Sequence, residues 1–358
     1  MMPELTTKFD LPLARRLAEF SRRAYQDETA RQEPCPAGKG FQGSTESRPT
    51  ILYDALTDAH VLIEDIGDAI VLAFRGTKDI RDWLTDAEFF KARLADTPAP
   101  PCKILRLDRV SPHQKRGNQI EIHEGFLRAA ESLLPKIIRW LAGPSAGSVP
   151  KPLLITGHSL GGALASLAAY FLQQRGHQIR AVYTFASPRV GNGSFRDSYN
   201  RQGAGGNDLA RRSFRVAAAG DLVPLLPGLL DGYRHVGQEC FLCPPRPAGG
   251  AQTAAATCRI NPSRVWEFLQ DEWRAIRALG RGNLDFILQF HSIDMDYLPL
   301  LAAPMSPVGP SPAVAPPHPL PLPRGGEGIE MYGEDCAVAG RPPLPAQPSL
   351  VTNQLLPP

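Results

Sequence analysis

Short apolar runs alternate with helical patterns along the chain. Ile70 to Phe74, Leu153 to Thr156, Gln178 to Phe185 and Phe214 to Ala218 are runs of strand length, continuous enough to be buried on both faces. Between them lie helical patterns. Leu13, Leu17, Phe20 and Ala24 share one face near the start, with Arg15, Arg16, Arg22 and Arg23 elsewhere on the surface. A second helix opens at His123-Glu124-Gly125-Phe126 and runs to Leu141. A third, built from small and apolar residues, follows Ser159 as far as Phe171. Asn261-Pro262 starts another, since proline suits the first helical position, with Val265, Phe268, Leu269, Ile276 and Leu279 on one face. Strands alternating with helices predict an α/β fold: a mostly parallel central sheet with helices on both faces.

The pattern ends near residue 300. Of 36 prolines in 358 residues, 15 fall in 301–358, where neither helical nor strand period survives. The expected division is a domain over 1–300 and a disordered proline-rich tail over 301–358. PxxP spacings in the tail allow a polyproline ligand, although any proline-rich tract generates them. The start of the chain has no signal-peptide pattern, and no run reaches the length of a membrane span. A cytoplasmic location and no transmembrane segment are therefore expected. With 39 basic and 36 acidic residues, the chain lacks the basic excess of a nucleic-acid binder. Six cysteines include Cys240-Phe-Leu-Cys243, half of a zinc pattern with only Cys258 near it. Free thiols in a reducing compartment are expected, with no metal and no cofactor.

The chemistry is concentrated at Leu153–Leu164, LLITGHSLGGAL. A strand, a GxSxG turn and a small-residue helix make a nucleophile elbow, with Ser159 at its tip. Glycines at 157 and 161 fit because side chains two positions either side of the serine would strike the strand and helix. The residue after the serine, Leu160, is expected to offer its backbone N–H to an oxyanion.

GHSLGGALA, with VLAFRGTKDIRDWLTD and HEGFLRAA before it and FASPRVGN after it, resembles the class 3 lipases, the fungal-lipase-like group of α/β-hydrolases. The resemblance runs from about Ile51 to Leu301, and the motifs occur in the family's order. It implies an α/β-hydrolase fold and hydrolysis of carboxylic esters, usually of lipids, through an acyl-enzyme on Ser159. A serine–acid–histidine order then places the acid and base downstream. Asp221 stands just past the strand Phe214 to Ala218 in a D-x-VP context like the family's, with Asp208 and Asp231 as rivals. Ala217 to Ala219 replace polar residues expected beside that acid, which puts its hydrogen bonding in question. His291 lies in an HS…Y context similar to the family's catalytic histidine, with His177, His235 and His318 as other downstream histidines. The resemblance implies that Thr77 supplies the second oxyanion donor. It also implies that the segment after Thr77 is a lid, with Ile80, Trp83 and Leu84 on one helical face. The same spacing equally fits a fixed turn with Trp83 in the core. His123 resembles a structural histidine of the family, and Arg75 is expected in a buried ion pair. His158, leaving the elbow opposite to Ser159, is expected to be packed. The Cys240–Thr257 stretch and the helix after Asn261 are expected to form a cap between acid and base.

The expected activity is that of a triacylglycerol lipase, its partner a lipid or other ester at a lipid–water interface. A phospholipase A or short-chain carboxylesterase is the alternative. A decayed hydrolase-fold binding module is a third reading, opposed by the intact Ser159, Asp221, His291 and Thr77.

Overall fold

The computed structural model describes residues 8–26, 49–76, 91–94, 107–109, 119–147, 149–201, 208–228, 232–243, 256–260, 288, 290–302 and 305–307. Among the described residues nine strands form the main sheet: Thr50–Asp54 (β1), Ala59–Asp65 (β2), Ile70–Phe74 (β3), Leu153–His158 (β4), Ile179–Phe185 (β5), Ser213–Ala218 (β6), Gln238–Cys243 (β7), Ala256–Ile260 (β8) and Met305–Pro307 (β9), in that spatial order. β1, β2 and β3 pair antiparallel. From β3 through β7 every pairing is parallel. β8 runs antiparallel to β7, and β9 parallel to β8. A second sheet of five short strands includes Glu121–His123 and Gly191–Asn192.

The parallel centre needs cover on both faces, and the alternation along each strand divides the core accordingly. Ile70, Leu72 and Phe74 of β3 join Ile155 of β4 under the helices Glu124–Leu141 (α2) and Leu160–Gln174 (α3). Val71 and Ala73 point to the opposite face, with Leu154, Tyr183 and Phe214, against the helix Leu11–Gln26 (α1). α1 is fixed there by a buried hydroxyl pair, Ser21 Oγ and Thr156 Oγ1 at 2.9 Å. Its Arg15 Nε donates to the Leu301 carbonyl, so the two ends of the domain meet on this face.

Three expectations change. Gln238–Cys243 is no cap. It lies in the sheet beside β6, with Cys240 and Leu242 buried in the α1-side core, and Ala256–Ile260 pairs onto it. The strand is buried on both faces, with Cys240 and Leu242 on the α1 side and Phe241 packed with Ala217. Cys240 is disulfide-bonded rather than a free thiol. The boundary drawn after residue 300 falls inside the helix Leu298–Ala302, whose Leu301 is fully buried, and Met305–Pro307 adds the edge strand β9. Proline 307 is tolerated there because an edge strand has one side free of ladder bonds. The helix expected after Asn261 lies outside the described residues.

His123 is a packing residue. Its ring stacks on Phe126, 4.2 Å between centroids, and burial lowers its pKa from 6.5 to about 4. Between those pH values the unfolded chain binds a proton that the folded chain refuses. Stability therefore falls as pH drops from about 6.5 to about 4 and levels off below, by up to about 3 kcal/mol for this group. The variant His123→Phe is expected to lose that part of the slope in denaturant titrations across the window. An unchanged slope would show that His123 does not resist protonation.

Candidate active site

β4 runs into the tight turn at Ser159, and α3 leaves it. Ser159 has φ 59° and ψ −130°, a conformation L-residues rarely adopt. Packing holds it there. Its N–H donates to the Phe185 carbonyl at 2.9 Å, and its carbonyl accepts from Gly162 N–H at 2.9 Å. A Cβ on Gly157 would lie 2.2 Å from the Gly161 carbonyl oxygen, and one on Gly161 2.2 Å from that of Phe74. Strand, elbow and helix thus approach to a spacing that only glycine allows. Leu160 is the first residue of α3, where backbone N–H groups lack intrahelical partners and the helix dipole is positive.

Asp221 follows the end of β6, and its side chain is fully buried. Val223 N–H donates to Oδ1 at 3.0 Å, and the Tyr297 hydroxyl donates to Oδ2 at 2.7 Å. The same Tyr297 oxygen accepts from Ala218 N–H at 3.1 Å. Burial, then the Asp221 charge, pushes the Tyr297 pKa far up, so the phenol stays a donor. The alanines at 217–219 do not leave the carboxylate short of donors, because backbone and a distant tyrosine supply them.

His291 Nδ1 lies 3.1 Å from each oxygen of Asp221. The imidazole is carried into place by the turn of π-helix Ile293–Tyr297, whose start is closed reciprocally: Ser292 Oγ accepts from Met295 N–H, and Asp296 Oδ2 accepts from Ser292 N–H. Ser159, Asp221 and His291 are each less than a tenth exposed. Among the described residues, Ser159 Oγ and His291 Nε2 are buried without a hydrogen-bond partner, and no hydrogen bond joins them.

The rivals have other work. His235 Nε2 sits 2.7 Å from the Pro224 carbonyl oxygen, and burial holds its pKa far below normal. Asp208 Oδ1 accepts from Ala210 N–H at 3.0 Å, a local turn bond. Arg75, itself buried as expected, donates to Oδ2 of the exposed Asp58 at 2.5 Å. His158 is packed, yet not remote: its ring lies 4.8 Å from that of His291. Thr77, the lid residues Ile80, Trp83 and Leu84, and Asp231 and His318 lie outside the described residues. Sequence reasoning assigned no role to two side chains at the site: Tyr297, which entered only as the tyrosine of the His291 context, and Tyr25, and each acts across a long chain separation. The Tyr25 hydroxyl lies 3.0 Å from His158 Nδ1.

Residues 71–230 match the family model described as lipase (class 3). Residues 71–230 belong to the class 3 lipase family. The secreted mono- and diacylglycerol lipase A of Penicillium cyclopium is 31% identical over 205 residues, covering 56% of this chain and 58% of that protein. The secreted mono- and diacylglycerol lipase 1 of Fusarium solani is 28% identical over 220 residues, 60% of this chain and 58% of its own length. The chain thus matches little more than half the length of these curated relatives. Among solved structures, a mutant MDLA from Penicillium cyclopium superposes with a TM-score of 0.50 at 25% identity, covering 70% of this chain and 85% of that one. The central parallel sheet with helices on both faces is an α/β-hydrolase fold.

The comparison corrects one expectation. Relatives named as secreted point to an extracellular setting rather than the cytoplasm. The disulfide at Cys240 agrees, because such bonds persist in oxidising compartments. Among the described residues no helix is long and apolar enough to cross a membrane. The matched class 3 lipase segment stops at 230, so His291 and Tyr297 are joined to it by geometry.

Tyr297→Phe removes the donor to Asp221 Oδ2 and leaves a buried carboxylate oxygen short of a partner. The expected loss is about 1–3 kcal/mol of folding stability, read from the denaturant midpoint. A midpoint equal to the parent's would mean that the phenol contributes nothing to holding the acid.

Proposed function

We propose that the protein is a serine hydrolase of acylglycerol esters. The observation that carries the reading is His291 Nδ1 seated on both oxygens of a buried aspartate, its ring 4.8 Å from that of His158, the residue before a serine strained at the tip of an elbow. The Penicillium and Fusarium relatives, both named mono- and diacylglycerol lipases, support the substrate class.

In this reading Ser159 Oγ attacks the ester carbonyl as His291 Nε2 takes its proton. Asp221 holds Nδ1, fixes the tautomer and stabilises the imidazolium. The developing oxyanion is met by Leu160 N–H at the head of α3 and by Thr77, each donor worth about 2.7–4 kcal/mol in such sites. His291 then protonates the departing alcohol. Water, deprotonated by the same imidazole, releases the acid from Ser159. Ser159 Oγ reaches the imidazole once substrate closes the site, since catalytic hydrogen bonds are often long in the free enzyme.

A fluorophosphonate is expected to label Ser159 alone, with Ser159→Ala abolishing both labelling and hydrolysis of tributyrin and p-nitrophenyl butyrate. Labelling of another serine, or activity in the variant, would falsify the assignment. A panel of mono-, di- and triacylglycerols with a phospholipid separates acylglycerol specificity from the phospholipase alternative.

The spacing of Ile80, Trp83 and Leu84 supports an apolar lid over this site. Activity is then expected to rise more than proportionally as tributyrin passes its solubility limit, and Trp83→Ala to flatten that rise while sparing dissolved esters. A proportional rise in the parent, with a large drop in melting temperature for Trp83→Ala, would instead place Trp83 in the core.

A further inference from the structure

A tyrosine from α1 reaches the elbow from outside the three residues assigned to the chemistry. The Tyr25 hydroxyl oxygen lies 3.0 Å from His158 Nδ1 and 3.5 Å from the His158 carbonyl oxygen. The same oxygen fills the space beside Gly76, where a Cβ would lie 2.0 Å from it and 2.7 Å from the His158 carbonyl oxygen. Gly76 follows the end of β3, and His158 ends β4. These strands pair in parallel, Phe74 beside Gly157. One hydroxyl therefore touches both strand ends that border the nucleophile. On its other side the His158 ring faces His291, 4.8 Å between centroids at 34°, with Tyr297 at 5.9 Å.

We propose that Tyr25 and His158 are a positioning pair: Tyr25 ties the end of β3 to the elbow and locks the His158 ring, which in turn backs the His291 imidazole. The inference rests on the hydrolase reading above. Burial keeps the Tyr25 phenol protonated, so it has a proton to give. When that proton goes to His158 Nδ1, 3.0 Å away, the neutral His158 ring carries its own proton on Nε2. Burial, then the neighbouring His291, holds the His158 pKa far below normal. Neutrality matters here. A charged ring at this distance would oppose the proton that His291 must accept, whereas a neutral aromatic face tolerates it.

The test uses the whole chain with p-nitrophenyl butyrate, rates being expressed per active site titrated by the fluorophosphonate. Tyr25→Phe is expected to lower kcat about tenfold at nearly unchanged KM, the size of one hydrogen bond's net worth. His158→Asn keeps an acceptor for the Tyr25 hydroxyl but removes the ring, and is also expected to lower kcat. The double variant should be no slower than the slower single, because the two act as a unit. Parental kcat per site in Tyr25→Phe, or two losses that multiply, overturns the proposal. Should His158→Asn fail to fold, kcat per titrated site in Tyr25→Phe decides by itself. A parent that takes up no fluorophosphonate is a different result and overturns the hydrolase reading instead.

Discussion

The site depends on one close approach. Where β4 turns into α3, backbone meets backbone at 157 and 161 with no room for a single methyl group. That compression forces the residue between them into positive φ, and the serine side chain is thrown clear of both elements. The cost of the conformation is spread over the parallel ladders on either side, where Gly157 lies beside Phe74 and Thr184. Removing the strain would require parting two central strands. A position so over-determined by its backbone leaves the serine side chain clear of both elements.

The acid and base obey a different logic. A buried carboxylate is tolerable only when its lone pairs are occupied. Asp221 meets that demand with three groups from two segments: an amide two residues on, a phenol and an imidazole. The imidazole is thus both the proposed catalytic partner and part of what makes the burial of the charge acceptable. Stability and chemistry share one set of hydrogen bonds.

Local features were legible in the sequence because local forces make them. Ile70 to Phe74 and Leu153 to Thr156 announce buried strands, and GxSxG between a strand and a small-residue helix announces the elbow. Asp221 was legible as a carboxylate just past a strand end, and Arg75 as a buried ion-pair partner. What escaped were contacts spanning the chain. Tyr297 to Asp221 and Tyr25 to His158 join residues far apart in sequence, and no periodicity marks either tyrosine. Gln238–Cys243 was misread for a related reason. It was expected in a cap, while the burial of Cys240, Phe241 and Leu242 in succession, which shows no period of two, depends on the partner β6. Leu301 was assigned to the tail because prolines follow it, although a fully buried leucine belongs to the core.

The contact between the first helix and the His291 segment bears on when reactivity arises. Arg15 on α1 holds the carbonyl of Leu301, and His291 lies 132 positions beyond Ser159. During synthesis at about 5–20 residues per second, Ser159 is made roughly 7–26 seconds before His291. On the proposed mechanism the hydroxyl has no imidazole to take its proton through that interval, and the growing chain carries an inert alcohol. The pair which that mechanism needs is assembled only when the early helix receives the late one.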